Sequence, residues 1–170
     1  MIAGMVAAQP GQGGAAWAVL QYVHGLRALG HDVTLVDPAP VAPGITDAAF
    51  LASTAAACFR RLAGDHGLAE SAALLRTGTR TTVGLSFDEL VVRARRADLL
   101  LNISGMLREP ALTDPISRRV FLDLDPAFNQ MWQAQGIDMG FDRHTHFVTI
   151  AWNIGRPGCT VPTCGRDWMT

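Results

Sequence analysis

The stretch that decides the fold is Met1–Asp37, MIAGMVAAQPGQGGAAWAVLQYVHGLRALGHDVTLVD. Residues 2–8 form a short apolar run, which predicts a buried first strand, and the turn that follows at 9–14 contains three glycines. A helix should then extend to Leu29, because its apolar residues recur at helical spacing. Residues 31–37 are again mostly apolar and predict the second strand. The stretch is therefore predicted to be a βαβ unit.

Beyond this unit, short apolar runs continue to alternate with longer amphipathic ones. Alanine-rich residues 46–76 predict two helices broken near Gly64–Gly67, and Ser86 with Glu89 forms a capping-box pattern that begins a helix to about Ala97. Pro126 is predicted at the first position of a further helix. The other predicted strands are Thr81–Leu85, Leu99–Ile103, Arg119–Leu124 and His144–Trp152.

The pattern predicts an α/β fold: a Rossmann-like three-layer sandwich with a mostly parallel sheet of five or six strands. We assign residues 1–155 to this domain. Residues 156–170 are a Pro/Gly-rich tail in which we predict no closing element, and we expect it to lead to a C-terminal domain that is missing here.

Composition excludes several classes of function. The chain has 170 residues and a formal net charge of −1, so no bulk charge favours nucleic acid or an anionic membrane. All 14 basic residues are arginine, which excludes a lysine Schiff base, a Walker A loop and a Ser-Lys dyad. Three cysteines do not suggest a disulfide framework, and we find neither a signal peptide nor a membrane span. We therefore expect a cytoplasmic protein.

In a parallel α/β sheet, ligands bind beyond the carboxyl ends of the strands. Four loops should form that edge: 9–14, 104–109, 125–128 and 152–156. In the first loop, Gly11, Gly13, Gly14 and Ala16 satisfy G-x-G-x-x-A, with Asp37 at the predicted end of the second strand, where a ribose-binding acid would lie. A nicotinamide dinucleotide, another ligand, or turn chemistry alone would each explain these glycines.

Asp123-Leu-Asp125 resembles the D-x-D sequence that holds a divalent metal and a nucleotide diphosphate. We favour instead a cap at Asp125 for the following helix. Asp123 would then pair with Arg118 or Arg119 if it points into the protein.

His144 and His146 should share one face of a strand, with Cys159 and Cys164 downstream, so four zinc ligands are conceivable. The spacing is unusual for zinc, and ordinary hydrogen-bonded histidines are preferred; we predict no metal. His24 is expected to be structural. Trp17 is either a core residue or a stacking surface beside the glycine loop.

Taken together, several motifs resemble the N-terminal domain of bacterial GT-B glycosyltransferases. They are the glycine-rich first loop, the helix with Gly25-Leu-Arg-Ala-Leu-Gly30, and the strand that begins His31-Asp-Val. Phe121–Gln130, Phe141–Phe147 and Asn153–Pro157 resemble a bacterial subgroup of the same enzymes.

The resemblance implies an acceptor-side half of an enzyme that transfers a sugar from a nucleotide-sugar donor to a small-molecule or glycan acceptor. The nucleotide-sugar is a co-substrate, no further cofactor is implied, and the isolated half should be inactive. Where many inverting members place a histidine base, this chain has Gln9 and Gln12, which leaves the base unassigned. Asp125 and His146 are the catalytic candidates. The candidate binding residues are Gly11, Gly13, Gly14, Trp17, Ser104, Asp123, His144 and Asn153.

Two other hypotheses remain open from the sequence. One is an NAD-binding Rossmann domain of an oxidoreductase or epimerase, which rests on G-x-G-x-x-A and Asp37. The other is a non-catalytic nucleotide-binding module.

Overall fold

The computed structural model describes residues 1–8, 10–11 and 13–170. These residues form an α/β fold with helices on both faces of one sheet, as the sequence predicts. The strands are β1 (Ile2–Ala3), β2 (Leu35–Ala39), β3 (Ala72–Arg76), β4 (Thr82–Gly84), β5 (Leu100–Ile103), β6 (Arg119–Asp123), β7 (His146–Thr149) and β8 (Trp168–Met169). The helices are α1 (Gly13–Ala28), α2 (Asp47–Leu51), α3 (Thr54–Asp65), α4 (Phe87–Arg96), α5 (Pro110–Thr113) and α6 (Phe128–Ala134), with a 3₁₀ turn at Phe141–Arg143.

The sheet has the order β4-β3-β2-β1-β5-β6-β7-β8. All neighbouring strands are parallel except β3 and β4. From β1 the chain first builds outward through β2 to β3, and it later returns to the other side of β1 with β5. The order therefore reverses between β1 and β5, which makes their carboxyl ends the topological switch point of the sheet.

Two apolar layers cover the sheet. Helices α1, α2 and α3 pack on one face around Val19, Phe50 and Phe59, all of them buried. Helices α4 and α5 pack on the other face through Leu90 and Leu112. Within the described residues no helix is long and apolar enough to cross a membrane.

The predicted strand count of five or six is too low, since the described residues form eight strands. We predicted helix up to residue 76, but α3 ends at Asp65 and Ala72–Arg76 is β3. Alanine favours a helix, yet Ala72 to Leu75 are fully buried on both sides, and this burial decides the strand. The tail prediction is also wrong in one respect, because β8 returns to the sheet and pairs with β7.

Several boundaries move as well. The capping box at Ser86 and Glu89 is confirmed, and Gly30 follows α1 with φ +87°. The second strand is displaced from 31–37 to Leu35–Ala39, so Asp37 is its central residue and not its last. The first strand ends at Ala3. The Gly4 amide still bonds to the Val36 carbonyl, and the amides of residues 6–8 then turn toward the side chain of Asp37.

Candidate functional site

The carboxyl ends of β1, β5, β6 and β7 meet at one edge, since these strands are adjacent and parallel. The loops after these strands contain most of the predicted site residues. Gly11, Gly13 and Gly14 follow β1, Ser104 follows β5, Asp123 and Asp125 lie at and after the end of β6, and Asn153 follows β7. The topology therefore places these residues along the same edge.

The three glycines of the first loop differ in what their backbones require. Gly11 has φ +93°, a conformation that favours glycine, so turn geometry explains it. Gly13 and Gly14 begin α1 with ordinary φ values, and a Cβ added to either would meet no described atom within 4 Å. Both are exposed. Neither the turn nor the packing of the described residues therefore requires glycine at 13 or 14. Gln9 and Gln12 lie outside the described residues.

Asp37 fixes the start of this loop through hydrogen bonds to its side chain. Its Oδ2 accepts hydrogen bonds from the amides of Val6, Ala7 and Ala8 at 3.2, 2.6 and 3.0 Å. The side chain is fully buried, and Oδ1 has no described partner. Burial raises the pKa of Asp37 from 3.8 to about 6, although the three amides act in the opposite direction. Asp37 therefore anchors the loop and does not present its carboxylate to a ribose.

The loop after β5 is built from two successive left-handed residues. Ser104 has φ +50° and Gly105 has φ +62°. A Cβ on Gly105 would lie 2.8 Å from the carbonyl oxygen of Met139 and 2.9 Å from the ring of Phe121, so this glycine is required by packing as well. A non-glycine residue in this region costs about 1 kcal/mol or more, so Ser104 is a strained residue at the switch point. Its side chain is half-buried.

Asp123, at the end of β6, is a fully buried carboxylate with every contact satisfied by neutral donors. Oδ1 accepts from Asn129 Nδ2 at 2.7 Å and from the Asp125 amide at 3.1 Å. Oδ2 accepts from Gln130 Nε2 at 2.7 Å and from the Thr149 hydroxyl at 2.9 Å. The predicted pairing with Arg118 or Arg119 is therefore wrong, and this carboxylate is not exposed to a metal or nucleotide.

Asp125 does not cap the next helix. The helix begins at Phe128, two residues later than Pro126 predicts, and Ala127 precedes it with φ +77°. Asp125 itself is exposed beyond the end of β6. Of the two carboxylates in the D-x-D sequence, only Asp125 can therefore meet a ligand at the edge. The two side chains do not act as a pair.

The two predicted histidines lie in different environments: the ring of His144 is buried beneath the loop after β5, and His146 lies at the amino edge. His144 is buried: its Nδ1–H donates to the Gly140 carbonyl at 2.7 Å, and its Nε2 accepts from Asn102 Nδ2 at 3.0 Å. Burial lowers the pKa of His144, which keeps this imidazole neutral. His146 is the first residue of β7, paired with Val120 near the start of β6, and it is exposed at the amino edge of the sheet. The expectation that both residues line the cleft is therefore wrong, because His144 is buried and His146 lies at the opposite edge of the sheet.

Asn102 links these buried groups to the loop after β5. Its Nδ2 also donates to the Leu107 carbonyl at 2.9 Å, and its Oδ1 accepts from the Leu107 amide at 3.0 Å. The bonds close the loop into a fixed turn. Asn102 was not selected by sequence reasoning, although an asparagine inside an otherwise apolar strand is the signal that could have found it.

Exposed aromatic side chains surround the carboxyl edge. Trp17 is 53% exposed in the first turns of α1, Phe128 is 55% exposed at the start of α6, and Trp152 is 76% exposed just beyond β7. Asn153 lies beside Trp152 in a turn and is also exposed. Trp17 is thus a surface residue and not a core residue, so of its two predicted roles only the surface role remains.

The zinc hypothesis finds no support in the geometry. Among the described residues no three side chains of His, Cys, Asp or Glu come together in a metal-binding group. His144 already uses both ring nitrogens, and Cys164 Sγ points to the Gln130 carbonyl at 3.2 Å.

What the site can do follows from these placements. At the start of α1, Gly13 and Gly14 leave the backbone uncovered by side chains. Free amide donors and the positive end of this 16-residue helix are exposed there, and these features bind phosphate groups. Ser104 and Asp125 stand along the same edge. The anchors that hold the loops, Asp37, Asn102 and Asp123, are buried beneath them. A comparison with known protein families, curated proteins and solved structures finds no match for this chain.

Proposed function

We propose that this chain is the acceptor-side half of a two-domain glycosyltransferase, which transfers a sugar from a nucleotide donor in a cleft above the carboxyl edge of the sheet. The observation that carries the proposal is the open surface at Gly13 and Gly14. A glycine in a helix costs about 0.5–1 kcal/mol relative to alanine. No described atom outside the helix's own backbone requires these two glycines. Unlike Gly25, they stand in the first turn of α1, where the free amides face the carboxyl edge, so a ligand that approaches the helix backbone closely best explains their absence of side chains.

The exposed aromatic side chains support the two-domain part of the proposal. Phe128 and Trp152 are more than half exposed at this edge, and the ring of Phe128 lies 5.7 Å from that of Trp132, which is also exposed. Large exposed aromatic residues mark surfaces that bind a partner or a ligand. A second domain or a sugar ring would cover them in the complete enzyme.

Asp125 is the residue we propose as the base that accepts the proton of the acceptor hydroxyl. It is exposed at the carboxyl edge, whereas His146 lies at the opposite edge. General base catalysis contributes about 100-fold to 10,000-fold. In a protein that carries both halves, Asp125→Asn should therefore lower kcat at least about 100-fold. Asp98→Asn is the matched control, because Asp98 is an exposed aspartate at the amino edge, and it should leave kcat unchanged. Unchanged kcat in Asp125→Asn would remove Asp125 from the mechanism.

The nicotinamide hypothesis is disfavoured by Asp37. The ribose-binding role requires an accessible carboxylate at the end of the second strand. Asp37 is instead central in β2, fully buried, and bonded to three loop amides. Because the side chain is fully buried, a ribose could reach its free Oδ1 only if the covering residues moved away.

A ligand titration followed by amide NMR distinguishes the hypotheses. The 170-residue chain is titrated separately with UDP, GDP and NADH. We expect weak binding of a nucleoside diphosphate, with shifts at the amides of Gly13, Gly14 and Gly105, and no sugar transfer by this chain alone. If NADH instead binds tightly and Asp37→Ala abolishes this binding, the hypothesis of a nicotinamide dinucleotide site is supported. Sugar transfer by the isolated chain would contradict the two-domain account.

A further inference from the structure

A pair of histidines lies between helices α1 and α3, next to Trp17, whose ring centroid is 6.3 Å from that of His66. His24 is in the second half of α1, and His66 is the residue that caps the carboxyl end of α3. The His24 Nε2 and the His66 Nδ1 are 3.0 Å apart, and the ring centroids are 5.1 Å apart. Both side chains are half-buried. Two imidazole nitrogens from different helices therefore already face each other.

We propose that His24 and His66 form a two-ligand site for a divalent transition metal ion such as Ni²⁺, Cu²⁺ or Zn²⁺, which joins α1 to α3. Imidazole nitrogen is a preferred ligand of these ions and a poor ligand of Mg²⁺ and Ca²⁺. This inference does not depend on the proposed glycosyltransferase function. His24 lies eleven residues along α1 from Gly13, which corresponds to about 16 Å.

The spacing of the two nitrogens fits one shared metal ion. Imidazole nitrogens bind such ions at about 2.0–2.1 Å, so two of them lie about 2.9 Å apart at a right angle and about 3.4 Å apart at the tetrahedral angle. The observed separation of 3.0 Å is within this range and nearest to adjacent positions of a square or octahedral ion. The ion would lie off the line between the two nitrogens, so each ring must turn by about 40° from the hydrogen-bonded arrangement for its lone pair to point to the ion.

In the metal-free pair, one of the facing nitrogens carries the hydrogen that the other accepts. On metal binding this hydrogen moves to the opposite nitrogen of the same ring, so a neutral pair binds the ion without net loss of a proton. The bonds that form are two nitrogen–metal bonds and one N–H bond at the opposite nitrogen of the donor ring. The bonds that break are the N–H bond at its facing nitrogen, the N–H···N hydrogen bond to the other ring, and two metal–water bonds of the hydrated ion. Water completes the coordination, since no third described His, Cys, Asp or Glu joins the pair.

The local electrostatics include one favourable and one opposing feature. His66 lies at the carboxyl end of the 12-residue helix α3, where the helix dipole stabilises a cation. Arg27 opposes it, because its guanidinium donates to the carbonyl of Gly67, next to His66. The affinity should therefore be modest, and the ion should act as a reversible link between the helices.

The test is a Cu²⁺ titration followed by amide NMR, in which the paramagnetic ion broadens nearby signals. In the wild-type chain, broadening should centre on α1 around His24 and on α3 around His66. His24→Gln and His66→Gln should each weaken binding at least about tenfold, whereas His31→Gln, an exposed histidine between α1 and β2, is the matched control and should not. Mg²⁺ at the same concentration should change nothing.

A thermal unfolding measurement tests the same pair of histidines with Ni²⁺. Ni²⁺ at a tenfold excess over its Kd should raise the Tm of the wild-type chain by about 3 °C and that of either glutamine variant by less than about 1 °C. Each variant is compared with itself without metal, so a general loss of stability does not affect the result. Equal binding by wild type and His24→Gln, or broadening centred on another histidine, would overturn the proposal.

Discussion

Asp37 and Asp123 are two fully buried carboxylates, on opposite sides of β1 in the sheet, and each fixes a loop at the carboxyl edge. They differ in how completely they are bonded. Asp123 uses both oxygens and receives four hydrogen bonds, three of them from side chains. Asp37 receives three amides on one oxygen, and its other oxygen has no described partner.

Burial and hydrogen bonding act in opposite directions on the pKa of a carboxylate. At Asp37 desolvation is the larger effect, and the pKa rises to about 6 although three amides bond to one oxygen. The side chains around Asp123 are supplied by α6 and β7, so this residue links three elements of the fold. The loop after β1 is therefore held by a carboxylate with one unbonded oxygen, and the loop after β6 by a carboxylate with both oxygens bonded.

The largest effect is expected from breaking the hydrogen-bond network around Asp123. Asp123→Ala would leave Asn129, Gln130 and Thr149 with buried, unpaired donors, and each such group costs about 1–3 kcal/mol. We expect a loss of about 4 kcal/mol in the free energy of unfolding, measured by urea denaturation. Asp125→Ala, at an exposed position, is the control and should change stability by less than about 0.5 kcal/mol. A loss below about 1 kcal/mol for Asp123→Ala would show that the network is not structural.

The second effect is the pH dependence of Asp37. Its pKa is higher in the native protein, at about 6, than the ordinary value of 3.8, so the native state holds the proton more tightly. The stability from this group is fully present below pH ~4 and is lost as the pH rises through about 6. The two pKa values differ by an amount that corresponds to about 3 kcal/mol.

Asp37→Asn isolates this effect, because asparagine keeps an acceptor for the loop amides and does not titrate. Between pH 4 and pH 7, the wild type should lose about 2.5 kcal/mol relative to Asp37→Asn in urea denaturation. Buried His144, whose pKa is lowered, acts in the opposite direction but is common to both proteins and cancels in the difference. Parallel pH profiles for the two proteins would contradict the assignment.

Much of the framework could be predicted from the sequence, because strong local signals agree with burial. The glycine turn before α1, the capping box at Ser86 and the apolar strands β5 and β6 are such signals. Strand β3 was missed because its alanines favour a helix until the rest of the sheet buries them. Strand β8 was missed because two residues carry no periodicity.

The site was less predictable, since it depends on contacts between distant residues. Asp37 lies about 30 positions from the amides that it binds, and no local pattern shows where its oxygens point. His144 and His146 were paired because alternate residues share a face of a strand, but β7 begins only at His146. Even the predicted strand His144–Trp152 has both histidines at its amino end, so only the resemblance to glycosyltransferases placed them in the cleft.

The last prediction has the smallest expected change in stability. It tests the central claim that the backbone surface at Gly13 and Gly14 is the ligand-binding surface. The measurement compares the Gly13→Ala/Gly14→Ala double variant with Gly25→Ala, an exposed glycine in the same helix that also has no described atom near an added Cβ. Each alanine should stabilise the fold by about 0.4–1 kcal/mol. Only the double variant should weaken binding of the nucleoside diphosphate identified by NMR, by at least about tenfold. Equal affinity in the double variant and Gly25→Ala would contradict the claim.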